Sequence, residues 1–362
     1  MKILFLPKHE YLGASSRYRT LQYLPYIEQQ NIDFDVAPLF SDEYLKYKYK
    51  HKKENKLITL KRILKRVKTI LFSASKYDIL LIEKELIPYF PPFLEYYLKY
   101  KNIPYVVDYD DAVWHNYDNH RNLIVRKILK NKIKYVIKNA SSVIAGSEYI
   151  VNYTIECDAR KVIKIPTVID TLKYKCKKID KKSSLFIIGW IGSPSSSQYI
   201  LDINSNLAKF TKKHNTVVHL VGFDKSLISK LSFNYKIIDW TNDDEIKEIS
   251  QFDIGIMPLP NTLFEKGKCG FKLIQYMGCK KPVIADAVGE NRFIIDCGIN
   301  GYLIKDNKEW DNYLEILYND KNRDRFGLCG YKKVKEKYSL EKNQEKYLKS
   351  IIGVLNENIN DL

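Results

Sequence analysis

Short apolar runs alternate with longer amphipathic stretches along almost the whole chain, and this rhythm constrains the fold more than any other feature. A run of four to seven apolar residues followed by a helix-length segment is the mark of a βαβ unit. The helix returns the chain to the same edge, so successive strands must lie parallel. Strands are expected at 2–7, 34–37, 79–83, 105–108 and 142–145, with helices at 16–30, 57–72, 90–101 and 123–139. Ser147 stands where an N-cap would open the next helix. The rhythm breaks at 163–183, where a strand-like 163–169 gives way to a Lys-rich connector at 173–182. It resumes with strands at 185–191, 217–221, 236–238, 254–257, 282–285 and 301–304. Helices are expected at 197–213, 243–251, 271–279, 308–319 and 323–338, and a tail helix at 340–356. A chain of 362 residues is too long for one core. The reading is therefore α/β with two Rossmann-like, doubly wound domains, 1–170 and 171–338, followed by a helical segment, 339–362, free to pack back towards the first. Ligands of such folds sit at the carboxyl ends of the strands, here in a cleft that two facing sheets would leave.

The formal net charge is +17, which suits an anionic surface or a phosphorylated substrate. The charge is not spread evenly: residues 46–68 hold eleven Lys/Arg against the single acid Glu54. Within that stretch Leu57, Leu60, Leu64, Val67 and Leu71 recur at helical spacing. The segment 46–72 is thus a candidate helix lying on an anionic membrane; a core-packed helix with a solvated basic edge is the equal alternative, and the two coexist if the apolar stripe is core and the basic rim faces the membrane. The opening MKILFL is too short for a signal peptide and fits a first strand, and no apolar run is long enough to span a bilayer. Six scattered cysteines with no CxxC pair argue against a zinc site and are expected to be reduced thiols of a cytoplasmic protein, peripheral at the inner face of the membrane.

Three loops carry residues suited to phosphate or sugar. After the first strand, Gly13 allows a close turn, Ser15 or Ser16 can cap a helix, and Arg17 and Arg19 can neutralise an anion. After the first strand of the second half, Gly192-Ser193-Pro194-Ser195-Ser196-Ser197 again leads small residues into a helix start. The third and most informative is GKCGFKLIQYM, 267–277, followed by the Pro282–Val283 strand. There Lys268 and Lys272 flank a helix start, where the backbone dipole also favours phosphate, and Gln275 lies about one turn beyond Lys272.

That stretch resembles the donor-binding signature of retaining glycosyltransferase family 4 (group 1), in a subgroup that also carries SSRYR (15–19) and DYDDAVW (108–114). Many members place two acids, separated by seven intervening positions, before the Met. Anchored on Met277, those positions hold Gly267 and Gln275 here, so both acids are absent; Glu265 is a candidate replacement for the first. The segment 165–170, IPTVID, is similar to the family's interdomain IPNGVD. The resemblance implies a GT-B fold, retention of anomeric configuration, and no bound metal or other cofactor. The DxD at Asp108 and Asp110 otherwise suggests a divalent cation, a task that backbone amides and Lys/Arg perform in this fold.

The resulting expectation is transfer of a sugar from a nucleoside-diphosphate sugar to a glycan or lipid-linked acceptor in surface polysaccharide synthesis. Asp110 and Asp111 would orient the acceptor or take its proton, and Lys268 would stabilise the departing diphosphate. Donor contacts are expected from Gly13, Ser16, Arg17, Gly192, Ser193, Trp240, Glu265, Gly270, Phe271, Lys272 and Gln275, with Trp240 stacking on the base and Gln275 bonding a ribose hydroxyl. Two rivals stand against it: a GT-B nucleotide-sugar epimerase, disfavoured by the lack of an acid/base set, and a basic nucleic-acid-binding protein, for which no helix-turn-helix, RNP or zinc signature exists.

Overall fold

The computed structural model describes residues 1–51, 53–174, 185–242, 244–321 and 323–360. The chain divides into two units. The first comprises Met1–Thr167, the short excursion Lys266–Cys269 and Asn343–Leu362; the second comprises Val168–Glu265 and Gly270–Lys342. The first unit thus ends at Thr167, three residues before the expected limit. From position 175 onward the expected Lys-rich connector lies outside the described residues, as do Cys176, Lys52 and Asp243.

Each unit is built on a six-stranded sheet whose strand pairs are all parallel. In the first, β1 (Lys2–Leu6), β2 (Asp33–Val36), β3 (Ile79–Glu83), β4 (Tyr105–Tyr109), β5 (Ser142–Ala145) and β6 (Val162–Lys164) stand in the order β2-β1-β3-β4-β5-β6. In the second, β7 (Phe186–Ile191), β8 (Thr216–Val221), β9 (Tyr235–Ile238), β10 (Ile254–Met257), β11 (Val283–Asp286) and β12 (Gly301–Ile304) stand in the order β12-β11-β10-β7-β8-β9. Helices cover both faces, so central strands are buried throughout, as every residue of β3, β4, β8 and β10 is, and they are mainly apolar, with Glu83, Asp108, Thr216 and His219 the polar exceptions. Each order reverses direction once. The switch lies between β1 and β3 in the first unit and between β7 and β10 in the second. At such a point the loops leaving two neighbouring strands diverge and open a crevice at their carboxyl ends.

Several expected elements are shorter than their hydrophobic pattern. The helix expected at 16–30 is three pieces, Ala14–Arg19, a 3₁₀ turn Leu21–Tyr23, and Leu24–Gln29. Pro25 stands at the start of the last piece, where a missing N–H costs nothing; inside a continuous helix it would break the ladder. The expected 123–139 helix is Leu123–Leu129 and Lys132–Asn139, and 197–213 is divided into Gln198–Leu201 and Asn204–Lys213, preceded by a 3₁₀ turn at Pro194–Ser196. The strand expected at 163–169 is only Val162–Lys164, since Pro166 has no N–H for a ladder.

Of the two readings of the basic helix Lys56–Ser73, the structure does not show the core-packed leucine stripe. Its leucines at 57, 60, 64 and 71 are exposed, whereas Arg66 and Ile70 are buried. The helix Leu340–Asn360 runs, from Asn343 on, with the first unit. Tyr347 stacks on Tyr23 with centroids 3.8 Å apart, and Ser142 Oγ donates to the Ser350 carbonyl at 3.0 Å. Among the described residues Cys157, Cys269, Cys297 and Cys329 are free thiols. Cys279 is disulfide-bonded, which corrects the expectation of six reduced thiols.

Candidate functional site

The first unit gathers its ionisable groups at the carboxyl ends of β1, β3 and β4. β3 ends in Glu83, and Lys84 follows in the left-handed region at φ 63°, a costly conformation for a residue with a Cβ. That turn sends the Lys84 side chain back to the loop after β4. Its Nζ lies 2.8 Å from Asp110 and 2.7 Å from Asp111, and it donates to Ser15 Oγ at 3.1 Å. Burial works against the Lys84 ammonium, but the carboxylates of Asp110, Asp111 and Glu83 outweigh it and hold its pKa well above the ordinary value. Burial would likewise raise the Asp111 carboxyl; Lys84 and Lys268 prevail and keep it below the usual carboxylate range.

Behind this pair, Ser16 is fully buried. Its hydroxyl accepts from the His9 N–H at 2.9 Å and donates to Glu83 Oε1 at 3.0 Å. Burial pushes the Glu83 carboxyl up to about 7, against the pull of Lys84. The same burial, with Lys8 and Lys84 nearby, lowers His9 to about 3, so its ring is neutral at physiological pH. Gly13 precedes the helix Ala14–Arg19 and packs against His9, whose Cβ would stand 2.4 Å from any Cβ placed at Gly13.

Both arginines of SSRYR are engaged by groups of the first unit. Arg19 is buried against Asp108, with Nη2 and Oδ1 at 2.5 Å, and Nη1 donates to the Ile165 carbonyl at 2.7 Å. The ion pair ties β4 to the helix after β1 and to the end of β6. It also takes Asp108 out of any metal site. Arg17 donates to the Tyr11 carbonyl at 2.9 Å and is largely buried. Trp114 is a core residue, stacked on Tyr153 with centroids 3.7 Å apart.

The excursion Lys266–Cys269 sits on the same loops. Ser147, the expected N-cap, accepts from the Ile150 N–H and donates its hydroxyl to the Gly267 carbonyl at 3.1 Å. Cys269 Sγ donates to the Asp110 carbonyl at 3.0 Å, and Lys268 Nζ lies 3.7 Å from Asp111. A Cβ at Gly267 would stand 2.5 Å from the Ala112 Cβ and 2.7 Å from its N, so only glycine fits there. The motif GKCGFKLIQYM, read as one segment in the sequence, therefore divides: its first three residues belong to the first unit and the rest to the second.

In the second unit the loops after β7 and β10 flank the switch point. Gly192 donates its N–H to the Val221 carbonyl, and a Cβ there would meet the Trp190 ring at 2.5 Å. Ser193 and Ser195 share a hydroxyl contact of 2.9 Å beside the short turn Pro194–Ser196. After β10, Gly270 adopts φ 64° and opens the helix Phe271–Gly278 with no side-chain cap. Lys272 follows within the first turn, its Nζ 5.9 Å from the centroid of the Trp190 ring. Glu265 accepts from the Tyr199 hydroxyl at 2.6 Å and from Thr262, and is largely buried.

Gln275 and Trp240 have a partner that sequence reasoning missed. Gln275 Nε2 donates to Glu245 Oε1 at 2.6 Å and to the Tyr174 hydroxyl at 3.1 Å. Trp240 Nε1 donates to Glu245 Oε2 at 2.8 Å. Gln275 is 4% exposed, so its amide nitrogen is engaged in the interior rather than held out for a ribose. A cavity of about 480 Å³ opens beyond β10, β11 and β12, lined by Asp202, Leu259, Asp286, Arg292, Lys305 and Trp310; burial raises the Asp286 carboxyl to about 6.

Lys84, Glu83 and Glu245 were not foreseen. For Lys84 the one available signal was position: it follows the strand that neighbours β1, but strand order is not written in the sequence.

Comparison with known proteins agrees with this architecture. Residues 184–320 match the family model described as glycosyl transferases group 1. An uncharacterised glycosyltransferase of Methanocaldococcus jannaschii is 24% identical over 263 residues, 63% of this chain and 64% of that protein, so the match spans less than two thirds of either. Among solved structures, sucrose-phosphate synthase from Thermosynechococcus elongatus superposes with a TM-score of 0.69 at 14% identity, covering 100% of this chain and 99% of that one. HepE of Anabaena in complex with UDP and glucose gives 0.66 at 17% identity, covering all of both chains. The fold is therefore GT-B, two α/β units each on a six-stranded parallel sheet.

Proposed function

We propose that the protein is a retaining glycosyltransferase that moves a sugar from a nucleoside-diphosphate sugar to a glycan or lipid-linked acceptor, in cell-surface polysaccharide synthesis at the inner face of a membrane. The observation that carries the reading is the group 1 glycosyl transferase match over 184–320. It falls on the unit whose switch point has glycine- and serine-rich loops after both β7 and β10.

In this reading the second unit holds the donor. Backbone amides beside Gly192 and at the Gly270–Lys272 helix start face the diphosphate, with Lys272 adding a cation. Transfer breaks the bond from C1 to the phosphate oxygen and forms one from C1 to the acceptor oxygen, whose hydroxyl proton passes to the departing diphosphate oxygen. Negative charge grows on the departing diphosphate, so a cation contributes most there. Lys268 supplies it, moving from its 3.7 Å contact with Asp111. Asp111, held strongly acidic by two lysines, is a poor proton acceptor and a good orienting group for an acceptor hydroxyl; Asp110 stands beside it on the same ammonium.

The test is turnover of a donor found by a thermal-shift screen of nucleotide sugars, read as nucleoside-diphosphate release with and without acceptor. Lys268→Ala should lower turnover roughly a hundredfold while melting as the parent does. Near-parental turnover would remove Lys268 from the mechanism. Conversion of the donor without any acceptor would replace transfer by epimerisation.

A further inference from the structure

The loop between β3 and the helix Phe93–Tyr100 carries two residues other than glycine in the left-handed region, Lys84 at φ 63° and Tyr89 at φ 59°. In Lys84 that conformation brings the ammonium to Asp110 and Asp111. In Tyr89 it presents a ring that is 56% exposed, so no interior contact of the ring accounts for the strain. The strained backbone is held from inside. The Tyr89 N–H donates to the Tyr117 hydroxyl at 3.1 Å, and that hydroxyl donates to Glu85 Oε2 at 2.6 Å. Lys132 Nζ lies 2.5 Å from the same Glu85 oxygen and donates to the Ile87 carbonyl at 2.6 Å. Glu85, Tyr117 and Lys132 are all buried. Pro88, Pro91 and Pro92 restrict φ in the rest of the loop. A buried ion pair thus rigidifies a segment that ends in exposed rings. The Tyr89 ring is braced edge-to-face by Tyr117 at 5.5 Å and by His120 at 6.0 Å, and exposed Phe90 and Phe93 meet edge-to-face at 6.4 Å.

A ring fixed in a costly conformation and left open to water is ready for a flat partner, because little ordering entropy remains to be lost when one binds. Position narrows the partner. The loop begins at Lys84, and five residues of chain reach at most about 18 Å, so Tyr89 stands within a few sugar units of the Lys84 carboxylates. Chemistry narrows it further. Lys84 and Lys132 are both engaged on carboxylates, which turns the loop from phosphates towards neutral ligands. The face of an aromatic ring is negative, and the C–H bonds on one face of a pyranose, whose carbons carry oxygen, are polarised positive. We propose that Tyr89, with Phe90 and Phe93 beside it, is a stacking platform for a pyranose ring of an oligosaccharide, remote from the sugar unit that reacts. The acceptor class is then a glycan of several units rather than a single sugar. That role in a reaction rests on the sugar-transfer reading; glycan binding itself is measured without it.

Retention of the full chain on an array of neutral and acidic oligosaccharides, with their monosaccharides as controls, tests it. The parent should prefer oligosaccharides to the single sugars that compose them. Tyr89→Asn removes the ring and keeps a residue that tolerates positive φ, so affinity for the best-retained glycan, by titration calorimetry, should fall about tenfold. Tyr89→Phe should stay within about twofold of the parent, because the ring face and not the hydroxyl makes the contact. Phe93→Ser, away from the strained residue, gives a second reading if Tyr89→Asn melts early. No glycan retained by the parent, or one that Tyr89→Asn and Phe93→Ser hold as tightly as the parent does, would overturn the platform. Tyr89→Phe as weak as Tyr89→Asn would overturn stacking. Binding to phosphatidylcholine vesicles in place of glycans, lost in the same variants, would make the occupant a lipid. The thermal shift of the parent with nucleotide sugars is read separately. Glycan retention without that shift removes sugar transfer and leaves the platform standing; the shift without retention does the opposite.

Discussion

At the carboxyl ends of β1, β3 and β4, Glu83, Asp110 and Asp111 surround Lys84, with Lys268 3.7 Å from Asp111. At the corresponding ends of β7 and β10 the chain supplies glycines, serines, one helix start and Lys272, while its acids Glu245 and Glu265 are bonded to Gln275, Trp240 and Tyr199. The topology is alike and the side-chain logic differs. One edge presents fixed charges, suited to ordering hydroxyl groups. The other keeps acids engaged and presents backbone and a cation, suited to an anion. The comparison teaches that a shared switch point sets only where chemistry can occur. The residues that follow each strand decide which chemistry.

The largest expected effect is at Lys84. Lys84→Met keeps the stem but leaves two carboxylates in a site that is 8% exposed at the lysine. Losing one partner of a buried charge group costs about 3–5 kcal/mol, to be read by urea denaturation. A loss no larger than that of an exposed pair would mean that the first edge is not held by charge.

Next is Glu83. Its native carboxyl titrates near 7 against an ordinary 4.5, so the folded state binds this proton more tightly. Unfolding free energy should therefore fall as pH rises through that window, by roughly 3 kcal/mol from this group. Denaturation of the parent and Glu83→Gln at about pH 5 and about pH 8 checks the sign, since the variant should lose that slope. A variant as pH-sensitive as the parent would assign the slope elsewhere.

The smallest effect sharpens the second edge. Gln275→Glu would place here the acid that the resemblance drawn from the sequence leads one to expect, but it would face Glu245, whose Oε1 is 2.6 Å from the present amide. A hydrogen bond becomes a like-charge contact, costing about 1–3 kcal/mol at neutral pH and less in acid. A more stable variant would show that the amide is not needed to balance Glu245.

Much of the fold was legible in the sequence because parallel strands buried on both faces read as mainly apolar runs, and every strand in the structure overlaps an expected one. Helix continuity was less so. Pro25 stops a pattern whose periodicity runs on across it, and periodicity alone gives it no weight. The basic helix was ambiguous for a related reason: leucine spacing shows which residues share a face, not which face meets the core, and Arg66 turns its own face inward through two backbone carbonyls. At the candidate site the glycines and Ser147 were visible because turns and caps are local. Lys84, Glu83 and Glu245 were not, because their roles depend on strand order and on partners between about thirty and seventy residues away in sequence.

The central claim is that the second sheet's carboxyl edge holds a nucleotide diphosphate. Hydrogen–deuterium exchange of the full chain, with and without the nucleotide sugar selected by thermal shift, tests it most directly. The account predicts slowed exchange in 190–198 and 258–275 and little change around β11 and β12. Protection confined to the cavity beyond β11 and β12, or none in either stretch while the ligand is bound, would contradict it.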